Sequence, residues 1–133
     1  MNINKIVVIP FKKSALGNLV YLCKPYLTDE VFFLPNTASN GDLDYTRIEA
    51  YKLLGDFGFS INKQKNITID LGVLIYKKMN FKAYAVLVDE TQDTKKIPGY
   101  IEESSFMRAN IAIEKCSTPF KDFLQKFTNW TVV

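Results

Sequence analysis

One segment with a clear helical pattern lies between two groups of strand-forming segments, and this order restricts the chain to folds that mix strands and helices. Residues 45–57 repeat apolar side chains at helical spacing, so we predict a helix there. Its broad apolar face carries Ile48, Ala50, Tyr51, Leu53, Leu54 and Phe57. Asp44 is a suitable N-cap, and Gly58 is a suitable C-terminal stop.

Before this helix, three short apolar runs bounded by turn-forming residues predict strands. These strands are residues 5–11, 18–23 and 31–34. The turn at 14–17 makes the first two a hairpin, and Pro35 stops the third. Residues 36–44 are dense in turn formers and predict a loop.

After the helix, two long strands are predicted at 67–77 and 81–89, joined across 78–80. Residues 90–105 predict a long polar loop, and residues 109–116 fit either a strand or a short helix. Thr118 and Pro119 form a good N-cap and first-turn pair for a last helix that extends to residue 127. Its face Phe120, Phe123, Leu124 and Phe127 is typical of a packed core.

The composition excludes several kinds of chemistry and does not indicate a particular one. The chain has 133 residues, 47% of them hydrophobic, which fits one globular domain covering residues 1–133. The net charge of +3 and its scattered lysine pairs give no strong sign of nucleic-acid binding. The chain has no histidine, which excludes histidine-based catalysis and histidine-ligated zinc. Its two cysteines lack metal-ligand spacing.

Targeting and membrane segments are not indicated. The apolar run at residues 6–9 is too short for a signal peptide, and no stretch approaches the length of a membrane span. We therefore expect a cytoplasmic protein without membrane contact.

The order of these elements resembles that of the Nudix hydrolase family, whose members act on nucleoside diphosphates linked to another group. In that family a short strand, Leu-Pro, a loop and a helix form the Nudix box, G-x5-E-x7-R-E-U-x-E-E-x-G-U, where U is a bulky aliphatic residue. The box fits residues 37–59 without gaps, directly after Leu34 and Pro35. The resemblance implies an α/β/α sandwich with a mixed central sheet.

Most signature residues of the box are replaced in this sequence. Thr37 stands at the first glycine and Leu43 at the first glutamate. Tyr51 and Lys52 replace the arginine–glutamate pair, and Gly55 replaces the first of the two paired glutamates. The retained positions are Leu53, Asp56 as a shorter carboxylate, Gly58 and, approximately, Phe59.

These losses bear directly on the family's reaction. The resemblance implies Mg²⁺ held by helix carboxylates, and Mg²⁺ requires several hard oxygen ligands. Asp56 is the one matching carboxylate, and Lys52, one turn earlier, is placed to form an ion pair with it. We therefore expect no cofactor, and a metal site at Asp56 is weak or lost.

Two roles remain open for the other acidic residues. If a rearranged Mg²⁺ site survives, the catalytic residues would be Glu49, Asp56 and Glu103. Of these, Glu103 lies in the predicted loop where some relatives keep a catalytic base. The alternative is that Glu49 and Asp56 flank Lys52 in a solvated stripe and that Glu102 and Glu103 are surface residues.

We therefore predict a Nudix-like domain that binds a nucleotide-type small molecule, or a protein, without hydrolysing it. A divergent Mg²⁺-dependent pyrophosphohydrolase is the alternative. Candidate ligand-binding residues that could stack on a base or contact phosphate are Lys12, Lys13, Phe32, Tyr45 and Lys52. For each of these side chains, ordinary packing or solvation is a better explanation than ligand binding. The resemblance also implies a homodimer, because dimers are common in that family.

Overall fold

The computed structural model describes residues 2–15, 17–23, 32–62, 64–89 and 105–132. These residues form a six-stranded sheet in the order β4-β5-β1-β2-β6, with β3 pairing β1. The strands are β1 (Lys5–Ser14), β2 (Gly17–Leu22), β3 (Asn36–Ala38), β4 (Thr68–Tyr76), β5 (Met79–Leu87) and β6 (Ser105–Arg108). Strand β1 runs antiparallel to β2 and β3 and parallel to β5, so the sheet is mixed, as predicted.

Three α-helices cover the two faces of this sheet. They are α1 (Thr46–Asp56), α2 (Ala109–Lys115) and α3 (Phe120–Val132). Helix α1 packs on one face, called here the α1 face, and α2 and α3 pack on the opposite face, called the α3 face. The predicted α/β/α sandwich is therefore confirmed.

Strand β1 shows why its sequence is a continuous apolar run. Val7, Ile9 and Phe11 point to the α3 face, whereas Ile6 and Val8 point to the α1 face. Successive side chains alternate across a strand, so a strand covered on both sides must be apolar at every position.

Both strand hairpins form, although the second turn is shorter and begins one residue earlier than predicted. The β1–β2 hairpin pairs Ser14 with Gly17, as expected. The β4–β5 turn is the two-residue pair Lys77–Lys78, with φ values of 49° and 64°, rather than residues 78–80. Two-residue hairpins favour such turns because their twist matches that of the strands.

The prediction was wrong in detail around the start of α1. The segment treated as a loop contains β3, and of the predicted strand 31–34 the described residues Phe32 and Phe33 make only isolated bridges. Asp44 is not the cap of α1: Asp42 accepts a hydrogen bond from the Asp44 N–H at a preceding 3-10 turn. Ile48, assigned to the packed face, is 60% exposed.

The structure shows which alternative, strand or short helix, holds for residues 109–116. Strand β6 ends at Arg108, and residues 109–115 are helical, so the alternating pattern at Met107 and the helical pattern from Ala109 describe two consecutive elements. The last helix extends to Val132, five residues beyond the predicted end. Most of the predicted loop 90–105 lies outside the described residues. Among the elements given above, no helix combines the length and apolar content needed to cross a membrane.

Candidate ligand-binding site

The box helix α1 is held to the sheet by its buried side chains, and its polar stripe lies at the surface. Lys52 and Asp56 are exposed. Between residues that the structure describes, the only ion pair joins Lys82 to Asp70, so the expected Lys52–Asp56 pair is not formed. Asp56 therefore stands as a solvated carboxylate near the C-terminal end of the helix.

Glu49, one of the predicted catalytic carboxylates, contacts the segment that follows β3. Its Oε1 accepts a hydrogen bond from Ser39 Oγ at 2.8 Å, and its Oε2 accepts one from the Asn40 backbone N–H at 3.1 Å. Ser39 Oγ also accepts from the Gly41 N–H at 3.1 Å. Both carboxylate oxygens of Glu49 thus bind the loop to the helix. The alternative prediction, in which Glu49 is a freely solvated residue of a charged stripe, does not describe this contact.

A magnesium ion does not fit the residues described in this region. Mg²⁺ needs several oxygen ligands converging in near-octahedral geometry. Within the described ranges no group of three or more acidic, cysteine or histidine side chains lies close enough to hold a metal. Asp56 is exposed, and Glu49 is engaged by Ser39 and Asn40. Glu103, the third predicted catalytic residue, lies outside the described residues.

A buried polar group, which the sequence did not reveal, lies between α1 and the sheet. Lys82 on β5 has a side chain only 7% exposed and forms an ion pair with Asp70 on β4. A β-bulge at Gly72 interrupts the β4–β5 register beside Asp70, and Asp70 Oδ1 accepts from the Gly72 N–H at 2.8 Å. Partial burial alone would raise the pKa of Asp70. The bonds from Lys82 and Gly72 and the nearby positive charges outweigh burial and hold that pKa below its usual value.

The same group extends to the start of α1 through two hydroxyls. The Lys82 ammonium lies 5.0 Å from the centre of the Tyr84 ring, and the Tyr84 and Thr46 hydroxyl oxygens are 2.6 Å apart. Thr46 donates to the Leu43 carbonyl at 2.8 Å, so Tyr84 must be the donor to Thr46. Each buried hydroxyl is therefore satisfied inside the protein, and this group is a structural one.

The five predicted ligand-binding residues do not come together in one place. Lys12 lies with its ammonium 4.5 Å from the centre of the Phe106 ring, on the α1 face. Lys13, the next residue, lines a cavity on the α3 face, because neighbouring strand residues point to opposite sides. Lys12 and Lys13 both reach a smaller cavity of about 260 Å³ at the end of β1.

The other three predicted residues also lie apart. Phe32 is half-buried with the Lys115 ammonium 5.3 Å from its ring centre. Tyr45, just before α1, is 52% exposed, and Lys52 is exposed on α1.

A cavity of about 390 Å³ lies on the α3 face where the box begins. Its lining includes Phe33 and Asn36, which flank Leu34-Pro35 just before the first box position. The lining residues are Lys5, Phe33, Asn36, Tyr76, Lys77, Met79, Phe81, Ser117, Thr118, Pro119 and Phe120. We call this space the box cavity. Its volume lies within the range of small-molecule sites.

Aromatic rings form much of the box cavity wall, and polar side chains also line it. Phe33 and Phe120 pack edge to face at 5.6 Å between ring centres, and Tyr76 and Phe81 lie 6.5 Å apart. The Asn36 side-chain amide donates to the Leu34 carbonyl at 2.8 Å. Its own carbonyl oxygen receives no hydrogen bond from any residue that the structure describes, so it can accept one from a ligand.

Two lysines supply positive charge at this cavity. Lys5 starts β1 and Lys77 occupies the β4–β5 turn, where its ammonium lies 5.3 Å from the Tyr76 ring centre. No acidic side chain is among the described residues that line the space. The cavity therefore favours an anionic ligand with a flat apolar part. Sequence reasoning missed it, because its walls come from segments distant along the chain; only the position of Asn36 beside the box pointed to it.

Neither cysteine can serve as a nucleophile in its resting form. Burial, with a smaller effect of Cys116, raises the pKa of Cys23 to about 12. Burial likewise raises the pKa of Cys116 to about 12. Since the thiolate is the reactive form, these thiols are inert structural groups at neutral pH.

Comparison with solved structures identifies the architecture. The chain is similar to the Ap4A hydrolase of C. elegans, solved as a binary complex, with 12% identity over 96% of this chain and 98% of that chain and a TM-score of 0.73. It is also similar to the Nudix domain of NrtR from Shewanella oneidensis, solved with ADP-ribose, with 8% identity over 98% and 89% of the two chains and a TM-score of 0.71. A Nudix hydrolase from Nitrosomonas europaea has 11% identity, coverage of 96% and 89%, and a TM-score of 0.64.

These similarities assign the chain to the class of proteins with a Nudix-like fold. The predicted resemblance is thereby confirmed for the architecture. No sequence-family model matches the chain, and no curated protein matches it. At identities of 8–12% the likeness establishes the fold and leaves the activity to be argued from the side chains.

Proposed function

We propose that this Nudix-like domain binds a nucleotide-type small molecule in the box cavity and does not hydrolyse it. The observation that carries the proposal is a cavity of suitable size beside the box, lined by aromatic rings and lysines. Tyr76 offers a face for a base, and Lys5 and Lys77 offer charge to phosphate oxygens. The complex of the S. oneidensis domain with ADP-ribose supports an adenine nucleotide as the first ligand to test.

The donor set of α1 supports binding without hydrolysis. Cleavage of a diphosphate in this fold family needs a divalent ion to neutralise the charge that develops on the phosphate oxygens. Asp56 alone cannot hold such an ion, Lys52 places a positive charge on the same stripe, and Glu49 is already bonded to the loop. A ligand can therefore bind without a metal-activated water to attack it.

Isothermal titration calorimetry with ADP-ribose and ADP tests binding in this cavity. We expect one-site binding, weakened about tenfold by Lys77→Gln because a charge-assisted phosphate contact is lost. Lys78→Gln is a matched control: it lies in the same turn, is also exposed, and does not line the cavity. Absence of binding by both ligands, or equal weakening by the two variants, would contradict the proposal.

The hydrolase alternative predicts a different result from the same protein. It requires Mg²⁺-dependent product formation that is abolished by Asp56→Asn. We expect no product above the rate of a protein-free sample with either the wild type or this variant. Metal-dependent turnover lost in Asp56→Asn would replace our proposal with the alternative.

A further inference from the structure

A second and larger cavity lies at the opposite end of the α3 face. Its volume is about 730 Å³. The lining residues are Phe11, Lys13, Ser14, Gly17, Asn18, Ile67, Ile69 and Trp130. We call it the hairpin cavity, because the β1–β2 hairpin forms one of its sides. It is separated from the box cavity by roughly 25 Å along β1 from Lys5 to Lys13, so one small ligand cannot fill both.

The inner wall of the hairpin cavity is continuous with the hydrophobic core. Phe11 and Ile69 are buried members of the α3-face core, and Ile67 packs against it. Phe11 is also fixed by Phe127, whose ring centre lies 4.9 Å away. A wall of core side chains has a defined shape, so it offers a preformed apolar surface rather than an adaptable one.

Trp130 forms the outer edge of this cavity. It lies near the end of α3 and is 57% exposed, which is unusual for the largest apolar side chain. No described residue accepts a hydrogen bond from its indole N–H. An exposed indole beside a core wall can cover a flat ligand on one side and donate a hydrogen bond to it.

The polar part of the cavity is a cross-strand pair. Lys13 and Asn18 are register partners in the β1–β2 hairpin, so their side chains project to the same side. Neither side chain has a hydrogen-bond or ion-pair partner among the residues that the structure describes. Ser14, by contrast, donates to the Gly17 carbonyl at 2.8 Å. The pair thus presents one ammonium and one carboxamide to the cavity.

We infer that the hairpin cavity binds an aromatic monoanion: a flat apolar body carrying one acidic group. The body would lie between Trp130 and the wall formed by Ile67 and Ile69, and the acidic group would contact Lys13 and Asn18. No acidic side chain is found among the described lining residues, so a cationic ligand has no counter-charge there. This site is distinct from the one proposed for nucleotides.

The lone tryptophan makes the site directly observable. Trp130 is the only tryptophan of the chain, so all selectively excited tryptophan emission comes from the edge of this cavity. We would titrate the native protein with the aromatic sulfonate 8-anilino-1-naphthalenesulfonate, whose own fluorescence rises in apolar surroundings. The expected result is saturable one-site binding, with quenching of Trp130 that follows the same curve.

Variants then locate the acidic group and separate this site from the box cavity. Lys13→Glu should weaken binding about tenfold or more, because the sulfonate loses a cation and meets a like charge. Lys78→Glu makes the same charge change on the exposed β4–β5 turn and should leave binding unchanged. Saturating ADP-ribose should not displace the probe, whether or not ADP-ribose itself binds.

Three results would overturn the inference. They are binding without quenching of Trp130, equal effects of the two lysine variants, and many weak sites in place of one. Far-ultraviolet circular dichroism and the melting temperature of each variant confirm that the comparison is made between folded proteins. Lys13→Gln provides a milder substitution that removes the charge alone.

Discussion

The two faces of the sheet are built differently although both are covered by helices. The α3 face is an apolar core around Phe11, Phe123 and Phe127, and both the box cavity and the hairpin cavity open along it. The α1 face carries the ion pair of the buried Lys82 with the half-exposed Asp70, and it encloses the bonded hydroxyls of Thr46 and Tyr84. The helix that carries the box is thus joined to the sheet by the buried Thr46 hydroxyl, which accepts a hydrogen bond from Tyr84.

Because of this difference, one face supports the box helix and the other provides space for a ligand. The α1 face keeps the box helix in place through contacts that require no metal, and Glu49 ties the adjoining loop to the helix. The α3 face offers space and positive charge to a ligand. A Nudix-like architecture can therefore persist, with room for a ligand, after the carboxylates that serve catalysis in the family have been replaced.

The largest expected effect tests the apolar side of the comparison. Phe127→Ala removes a fully buried ring that packs on Phe11 and should lower the free energy of unfolding by about 3–5 kcal/mol. Trp130→Ala, three residues along the same helix, removes an exposed ring and should change stability by less than about 1 kcal/mol. Urea denaturation measures both, and similar losses in the two variants would contradict this account of the α3 face.

The next effect tests the polar side. Thr46→Val removes the acceptor of the Tyr84 hydroxyl and leaves that buried group without a partner, which should cost about 1–3 kcal/mol. Adding Tyr84→Phe also removes the hydroxyl that has lost its partner. The double variant should therefore be less destabilised than Thr46→Val alone. Strictly additive losses in a double-mutant cycle would show that the two hydroxyls are not coupled.

A smaller effect distinguishes a loop anchor from a metal ligand at Glu49. Glu49→Ala should lower the free energy of unfolding by about 1 kcal/mol, because Ser39 and Asn40 lose their acceptor in a partly exposed setting. Glu114→Ala is the control, since this exposed acid on α2 has no hydrogen-bond partner among the described residues. If Mg²⁺ raised the melting temperature of the wild type but not of Glu49→Ala, Glu49 would be a ligand instead.

The smallest effect depends on pH. The pKa of Asp70 is lowered in the folded state, so its contribution is complete above the pKa of the unfolded carboxyl, about 4, and is lost as pH falls through the folded pKa. The stability difference between the wild type and Asp70→Asn should therefore shrink on acidification. The same comparison in a Lys82→Met background should show a weaker pH dependence, and an unchanged one would contradict the role given to Lys82.

The sequence predicted the features that depend on local periodicity. The helix at α1, the β1–β2 hairpin and the apolar stripe of α3 each follow from spacing along the chain. The order of these elements was enough to indicate the Nudix-like architecture. Aligning the Nudix box from Thr37 also identified Asp56 as the one matching carboxylate, with Lys52 one turn before it.

What could not be predicted depends on contacts between distant segments. Lys82 lies in an apolar run, and nothing local shows that Asp70 is placed beside it on the neighbouring strand. The box cavity joins residues from the start of β1, the β4–β5 turn and the start of α3. Lys12 and Lys13 were both predicted to bind one ligand, whereas strand alternation directs their side chains to opposite faces.

The most direct test of binding without cleavage is a phosphorus NMR titration of ADP-ribose with the protein in the presence of Mg²⁺. The two diphosphate signals report both events in one sample, since binding shifts or broadens them and cleavage replaces them with monophosphate signals. The account predicts shifted or broadened diphosphate signals that persist on long incubation. Growth of monophosphate signals with time, above a protein-free sample, would contradict it.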